Sequence, residues 1–304
     1  MEASSKMANG RFTKGKINIY SLFKIRKGMS GTQRLRNFTF LKQMVMPFED
    51  SFWKLLLIIS LRYLIVASVA FAIFYLFRKK VWQHKKIQLR FPAHSDYYRE
   101  IIYSIITAFI FAAVGYLTFL TAFVQYTQTY FNIGDYGWGY FALSVVMMIV
   151  FHDTYFYWMH WLMHRPAVFR WVHKVHHLST NPSPWAAMAF HPIEAVFEAL
   201  IITVIAVAFP VHPMAIAIFL LFMMLYNVYG HLGYELYPRG FAASAIGRWI
   251  NTSVNHNQHH QHFTGNYGLY FLWWDRWMGT LRSDYDTKFE EVTARYSNKA
   301  AGKV

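Results

Sequence analysis

The sequence predicts an all-α chain: a multi-pass integral membrane helical bundle of four to five apolar helices beneath a His-rich cytoplasmic cap. Three observations predict it. Of the 304 residues, 55% are hydrophobic and only 15% charged, against about 25% charged in a soluble domain; the mean hydropathy is +0.19. Several apolar runs approach or exceed the roughly 20 residues that a helix needs to cross about 30 Å of hydrocarbon. Histidines gather at the ends of these runs and in the polar stretch after them.

The first fifty residues are basic and rich in Gly and Ser, without the apolar core of a cleavable signal, so residues 1–51 read as a flexible tail. Phe52–Phe77 is the first apolar stretch. Arg62 near its middle is costly in lipid, so it faces protein or water, or the segment is not a simple span. Residues 52–99 therefore pair one apolar helix with a basic loop carrying Arg78, Lys79, Lys80, Lys85, Lys86 and Arg90.

Ile101–Phe131 is the second run. A short turn, Asn132–Gly137, joins it to Trp138–Met163, which predicts an antiparallel hairpin. The third helix then ends, with His160 and His164, beside the basic 78–99 loop, and positive charge marks that side as cytoplasmic. A second hairpin, Ile193–Phe209 and Met214–Tyr229, turns at Pro210–Val211–His212–Pro213, leaving from His191 and returning at His231. Residues 232–304 are polar enough to be a cap, with 286–304 as a polar C-terminal tail. One conflict stands. If 52–77 spans, the basic tail lies outside, against the positive-inside rule; either that segment is re-entrant or interfacial, or the rule is overridden.

The net charge is +15, and most of the excess flanks apolar runs. This points to anionic lipid headgroups and not to nucleic acid. There is no cysteine. Disulfides, thiolate-bound haem and Cys-held iron–sulfur clusters within this chain are excluded, so redox chemistry here must use His, carboxylate or water ligands.

Residues four apart on a helix share a face. His160 and His164 are so related, as are His173 and His177 with His176 beside them, and His256 and His260 with His259 beside them. Neutral imidazole suits borderline first-row metals. Eight imidazoles exceed the four of a tetrahedral ion, so two metals are the economical reading, with His191 and His231 able to reach the same site. The lone His84, His94 and His212 read as structural, His262 as surface, and His152 as ambiguous. Asp153 has two equal readings: acceptor for a ligand imidazole, or partner of local backbone. Zinc proteases place a Glu base within H-E-x-x-H. Here Trp161–Leu162–Met163 fills that interval, which suits a dry site handling iron and dioxygen on a lipid.

The pattern HxxxH, HxxHH, HxxHH, with Asp153–Trp158, Ala189–Ala195, Phe263–Tyr267, Trp273–Arg276 and Gly279–Thr280 around it, resembles the membrane fatty acid hydroxylase/sterol desaturase superfamily. The tail motif is nearest the sterol C4-methyl oxidase and C5-desaturase branches. The resemblance covers about residues 100–285 and implies a catalytic domain there. It implies a non-haem di-iron centre (zinc possible in purified protein), dioxygen as oxidant, and lipid desaturation or hydroxylation. Electrons would come from NAD(P)H through a cytochrome b5 or ferredoxin-type partner. His160, His164, His173, His176, His177, His256, His259 and His260 carry over as catalytic metal ligands, and His191 and His231 as further ones. Asp153 and Asp275 are expected to support them, Asp275 pairing with Arg276. Trp161 departs from the Arg common in the family. The implied location is the cytoplasmic membrane or endoplasmic reticulum, with the site facing the cytoplasm. The rival substrates are fatty acyl, sphingolipid, carotenoid or ether-lipid chains; the rival classes are a His-lined metal transporter and a zinc-dependent membrane hydrolase. The basic loop at Lys79–Lys86 meets either an acidic electron carrier or lipid headgroups.

Overall fold

The structure, a computed structural model, describes residues 48–300, so the basic tail expected over 1–51 lies outside the described residues up to position 47. The chain is a multi-pass membrane helical bundle. Its long helices are α1 (Phe48–Phe71, continued by a π-helical turn to Phe77), α2 (His94–Phe119) and α3 (Gly137–Met163). Short helices α4 (Pro166–Val172) and α5 (Lys174–His177) follow, then α6 (Pro192–Ala208) and α7 (Pro213–Gly230). The cap holds α8 (Ser253–His262), α9 (Trp273–Trp277) and α10 (Tyr285–Ala300). Among the described residues, four helices are long and apolar enough to cross a membrane: Asp50–Phe77, His94–Phe119, Gly137–Met163 and Pro213–Gly230.

Small residues let the helices meet, since lipid supplies no hydrophobic drive between them. On α2, Ala108 and Ala112 are buried against Ile59, Tyr63 and Ala67 of α1. A Cβ on Gly115 would come within 3.1 Å of Leu55. The hydroxyls of Thr118 and Thr203, 2.7 Å apart, tie α2 to α6. A second core joins Phe141 and Met148 of α3 to Ile201, Ile205 and Ala206 of α6 and to Ala215 and Phe219 of α7. Leu57, Ile58 and Ile65 of α1 are exposed, as a lipid-facing surface must be.

The expected first hairpin is corrected. The helix beginning near 101 stops at Phe119, and α2 packs chiefly on α1 and α6. Thr121 ends it by donating to the Leu117 carbonyl and accepting from the Phe123 amide. Residues 120–136 then run irregularly across the far end of the second hairpin, where Gln128 N donates to Ala206 O and Tyr130 N to Val211 O. The aromatic residues there pack as a loop: Tyr130, for instance, lies 4.7 Å from Tyr136, centroid to centroid.

Two further expectations change. Lys86, read as part of a basic surface, is fully buried, its Nζ near the rings of Tyr75, Phe91 and Tyr234. The polar tail over 286–304 is largely helix α10: Tyr285, Phe289 and Val292, spaced i, i+4, i+7, bury against Ile87, Val254 and Leu272.

Candidate metal centre

The ends of α1, α3 and α7 and the starts of α2 and α6 meet at the cap, where the histidines converge. They form two groups. His160, His164, His173, His177 and His259 make an outer group, and His176, His231, His256 and His260 an inner one; within each, one nitrogen per residue lies within 4.8 Å of the others. The adjacent pairs His176–His177 and His259–His260 split between the groups. Successive helix residues diverge by about 100°, so each His-His pair can face two centres at once.

The distances suit metal ligation. His160 Nε2 lies 3.0 Å from His173 Nε2, and His177 Nε2 lies 3.1 Å from those of His164 and His173. In the inner group His231 Nε2 is 3.3 Å from His176 Nε2 and 3.1 Å from His256 and His260. Nitrogens bound to one ion at about 2.1 Å and at right angles stand about 3 Å apart.

The opposite ring nitrogens fix the tautomers. His160 Nδ1 faces Tyr267 O at 2.9 Å, His259 Nδ1 faces Gly265 O at 2.8 Å, and His231 Nδ1 faces Asn227 O at 2.8 Å. His176 Nδ1 faces Ala189 O at 3.3 Å, and His173 Nδ1 faces Glu194 Oε1 at 2.7 Å. With Nδ1 as donor, each Nε2 lone pair points inward, which is the preparation of a metal ligand. Burial, reinforced by neighbouring imidazoles, pushes His173, His176, His177, His256, His259 and His260 well below the ordinary imidazole range, so they stand neutral. Burial likewise lowers His231 to about 4. A neutral, dry, nitrogen-only donor set fits a first-row ion.

The predicted residues are not all gathered. His191 joins neither group. It precedes Pro192 and caps α6, its Nδ1 accepting from Ile193 N at 3.3 Å. His212 does the same before Pro213, accepting from Met214 N at 3.1 Å. The two His-Pro junctions are one local device, in which Pro starts a helix and the side chain before it takes an orphan amide.

Asp153 and Asp275 touch no histidine in either group. Asp153 Oδ1 accepts from the amides of Tyr270 and Phe271, at 2.7 and 3.2 Å. Asp275 accepts from the amides of Tyr267 and Gly268, at 2.9 and 2.8 Å, and from Thr280 Oγ1 at 2.7 Å. Together they clasp the 265–271 loop, whose carbonyls orient His160 and His259. The loop is tight: Gly265 has φ +76°, and a Cβ there would lie 2.7 Å from Thr280 O. The expected Asp275–Arg276 pair does not form, because Arg276 Nε donates to Arg248 O.

In the sequence Glu194 stands out only as part of the Ala189–Ala195 motif. A carboxylate inside an apolar helix was the signal that could have marked it. Two phenyl rings roof the outer group: Phe169 lies 5.3 Å from His164 and Phe263 5.1 Å from His177, centroid to centroid. Phe263 adopts the left-handed region, φ 63°, to do so.

The sequence pattern of the family described as fatty acid hydroxylase matches residues 145–280. The chain is similar to a Delta(7)-sterol 5(6)-desaturase of Gibberella zeae, 28% identical over 225 residues, which are 73% of this chain and 65% of that protein. A Delta(7)-sterol 5(6)-desaturase of Aspergillus fumigatus is 33% identical over 202 residues, 61% of this chain and 63% of that protein. Lathosterol oxidase of Mus musculus is 31% identical over 213 residues, 67% of this chain and 69% of that protein. The matched region thus spans slightly less than two thirds of the two fungal relatives. No solved structure matches the chain.

Proposed function

The chain belongs to the fatty acid hydroxylase family, and from that premise we propose that it is a dioxygen-dependent, non-haem di-iron membrane oxidoreductase that desaturates or hydroxylates a C–H bond of a sterol-type lipid. The observation that carries this reading is the pairing of two buried imidazole groups, one of five residues and one of four, at the same end of an apolar bundle. The outer group would hold one ion and the inner group the other. Two irons there would supply the reduction of dioxygen and the removal of hydrogen from carbon.

The chain's own residues prepare that chemistry. The inward Nε2 lone pairs bind cations without first losing a proton. Glu194, buried against His173, offsets positive charge brought into a dry site. The 265–271 loop holds His160 and His259 in orientation, and Phe169 and Phe263 limit water above them. The lipid enters from the bilayer between apolar helices. Electrons come from NAD(P)H through a cytochrome b5 or ferredoxin-type partner. The exposed Arg78, Lys79, Lys80 and Arg90 support a cytoplasmic cap by the positive-inside rule.

The test is a lipid comparison. The protein and a His176→Ala/His177→Ala variant, which removes one imidazole from each group, are expressed under ¹⁸O₂ with sterols and fatty acids supplied. A sterol that loses two hydrogens or gains ¹⁸O only with the intact protein supports the proposal. An unchanged lipid profile in cells shown to load iron and supply reductant overturns it.

A further inference from the structure

Part of the cap lies too far back along α3 to stand clear of the bilayer. α3 has 27 residues, about 40 Å at 1.5 Å per residue, against about 30 Å of hydrocarbon. At most about 10 Å of it emerges at the cap end. Thr154 stands about 13 Å back from Met163, so it lies within the hydrocarbon even if the whole excess emerges there. Trp274 of α9 reaches that level. Its Nε1 donates to Thr154 Oγ1 at 3.2 Å, and its ring lies 5.5 Å from that of Trp158, centroid to centroid.

The side chains around it suit that depth. Trp277 is 63% exposed, Met278 is exposed, and Ile246 is 74% exposed. At this level exposure is exposure to lipid. Trp273 and Trp277, one turn apart on α9, stack with centroids 6.3 Å apart. Trp249 is tied to the start of α9, since Leu272 N donates to Trp249 O at 2.8 Å, and to Ile246, whose carbonyl accepts from Trp249 N at 3.0 Å. Two guanidiniums lie over the Trp249 ring, Arg248 at 5.3 Å and Arg276 at 5.9 Å. Neither arginine has an acidic partner among the described residues. Trp beside Arg is the composition of the bilayer–water boundary, where indoles sit at headgroup level and arginine stems carry their charge out to phosphate.

We propose that α9 and the turn at Ile246–Trp249 form an interfacial anchor embedded in the leaflet on the cap side, and that Arg248 and Arg276 bind the phosphate of an anionic phospholipid. This moves part of the stretch 232–304 from solvent into the membrane surface. It also gives α9 two faces with two tasks. Trp277 meets lipid, while the buried Asp275 clasps the loop that orients His160 and His259. The bilayer thus braces the outer imidazole group. The anchor does not depend on which lipid the enzyme acts on.

Depth and headgroup preference test it apart from turnover. The chain has no cysteine, so one substitution places one nitroxide. Full-length protein labelled at Ile246→Cys or Met278→Cys is reconstituted in vesicles of phosphatidylcholine and phosphatidylglycerol. EPR power saturation then compares collisions with dioxygen and with a water-soluble nickel chelate. Ile58→Cys on the exposed face of α1 is the lipid reference, and Thr287→Cys, exposed on α10, the water reference. Labels at 246 and 278 are expected to favour dioxygen, as at 58, and to lose most of the nickel collisions seen at 287. Nickel collisions at either position equal to those at 287 overturn the anchor. Native mass spectrometry of the protein with phosphatidylglycerol or phosphatidylcholine tests the arginines. Arg248→Gln is expected to lose about fivefold of the preference for phosphatidylglycerol, the worth of one arginine near an anionic surface. Arg239→Gln, elsewhere on the cap, should keep it. A wild type without the preference, an unchanged preference in Arg248→Gln, or an equal loss in both variants overturns the phosphate site.

Discussion

His173 Nδ1 and Glu194 Oε1 lie 2.7 Å apart with both side chains almost wholly shielded from solvent. This contact joins the short segment after α3 to the start of α6 and gives the outer imidazole group its one carboxylate contact among the described residues. The inner group, by contrast, is fixed through backbone carbonyls such as Asn227 O and Ala189 O. The two groups therefore differ in how they are held, and their metals should be separable by mutation.

Glu194→Leu removes the acceptor behind His173. Loss of such a partner typically weakens metal binding 10- to 100-fold, so about that loss is expected for the outer group. Titration with Fe(II) under anaerobic conditions should then resolve one tight and one weakened site. Two tight sites would show that Glu194 does not support the ligand.

Asp275→Asn places an amide where two backbone N–H groups and the Thr280 hydroxyl now donate. One buried donor is left unpaired, at about 1–3 kcal/mol. A lower melting temperature in detergent is expected. Because the clasped loop holds His160 and His259, the outer ion should also be lost first. A variant with unchanged melting and two full sites would show that the clasp is dispensable.

His231 and His191 make opposite predictions. His231→Ala takes away an inner ligand that faces His176, His256 and His260, and should abolish tight binding of one ion. His191→Ala removes only a helix cap, costing about 1 kcal/mol, and should keep both ions. Equal metal loss in the two variants would contradict the assignment.

Lys86 gives a pH signature outside the metal centre. Burial pushes its ammonium down from the model-peptide value of 10.5 to about 7. In that window the unfolded chain holds a proton that the folded chain has released, so stability should rise with pH between about 7 and 10.5 and lose this gain as pH falls through 7. Lys86→Met should remove that part of the slope. Melting curves of the two proteins at pH 7 and 9 check it; parallel pH dependence would show that Lys86 keeps its charge in the fold.

Much of the centre was legible because helical spacing does the work. Pairs four apart, such as His160 with His164 and His256 with His260, fall in one group each, as a shared face requires. His231 could be reached by following the second hairpin back to the cap. His191 looked equivalent at the other end of that hairpin, but a His before Pro is already engaged by the helix start, and only local backbone geometry reveals it. Asp153 and Asp275 were legible as important polar residues, yet their partners are amides more than a hundred and about eight residues away, respectively. Residues 120–131 were apolar enough for helix, but side-chain capping at Thr121 ended α2 early. The burial of Lys86 depends on rings from Tyr75 and Tyr234, brought together only by tertiary packing.

In the proposed enzyme each imidazole group holds one iron and the pair reacts with dioxygen. The most direct measurement is Mössbauer spectroscopy of protein loaded anaerobically with ⁵⁷Fe, before and after one addition of dioxygen, with the iron counted per chain. Two irons per chain are expected, both oxidised together by dioxygen. One iron per chain, or two irons that stay ferrous in dioxygen, would contradict it.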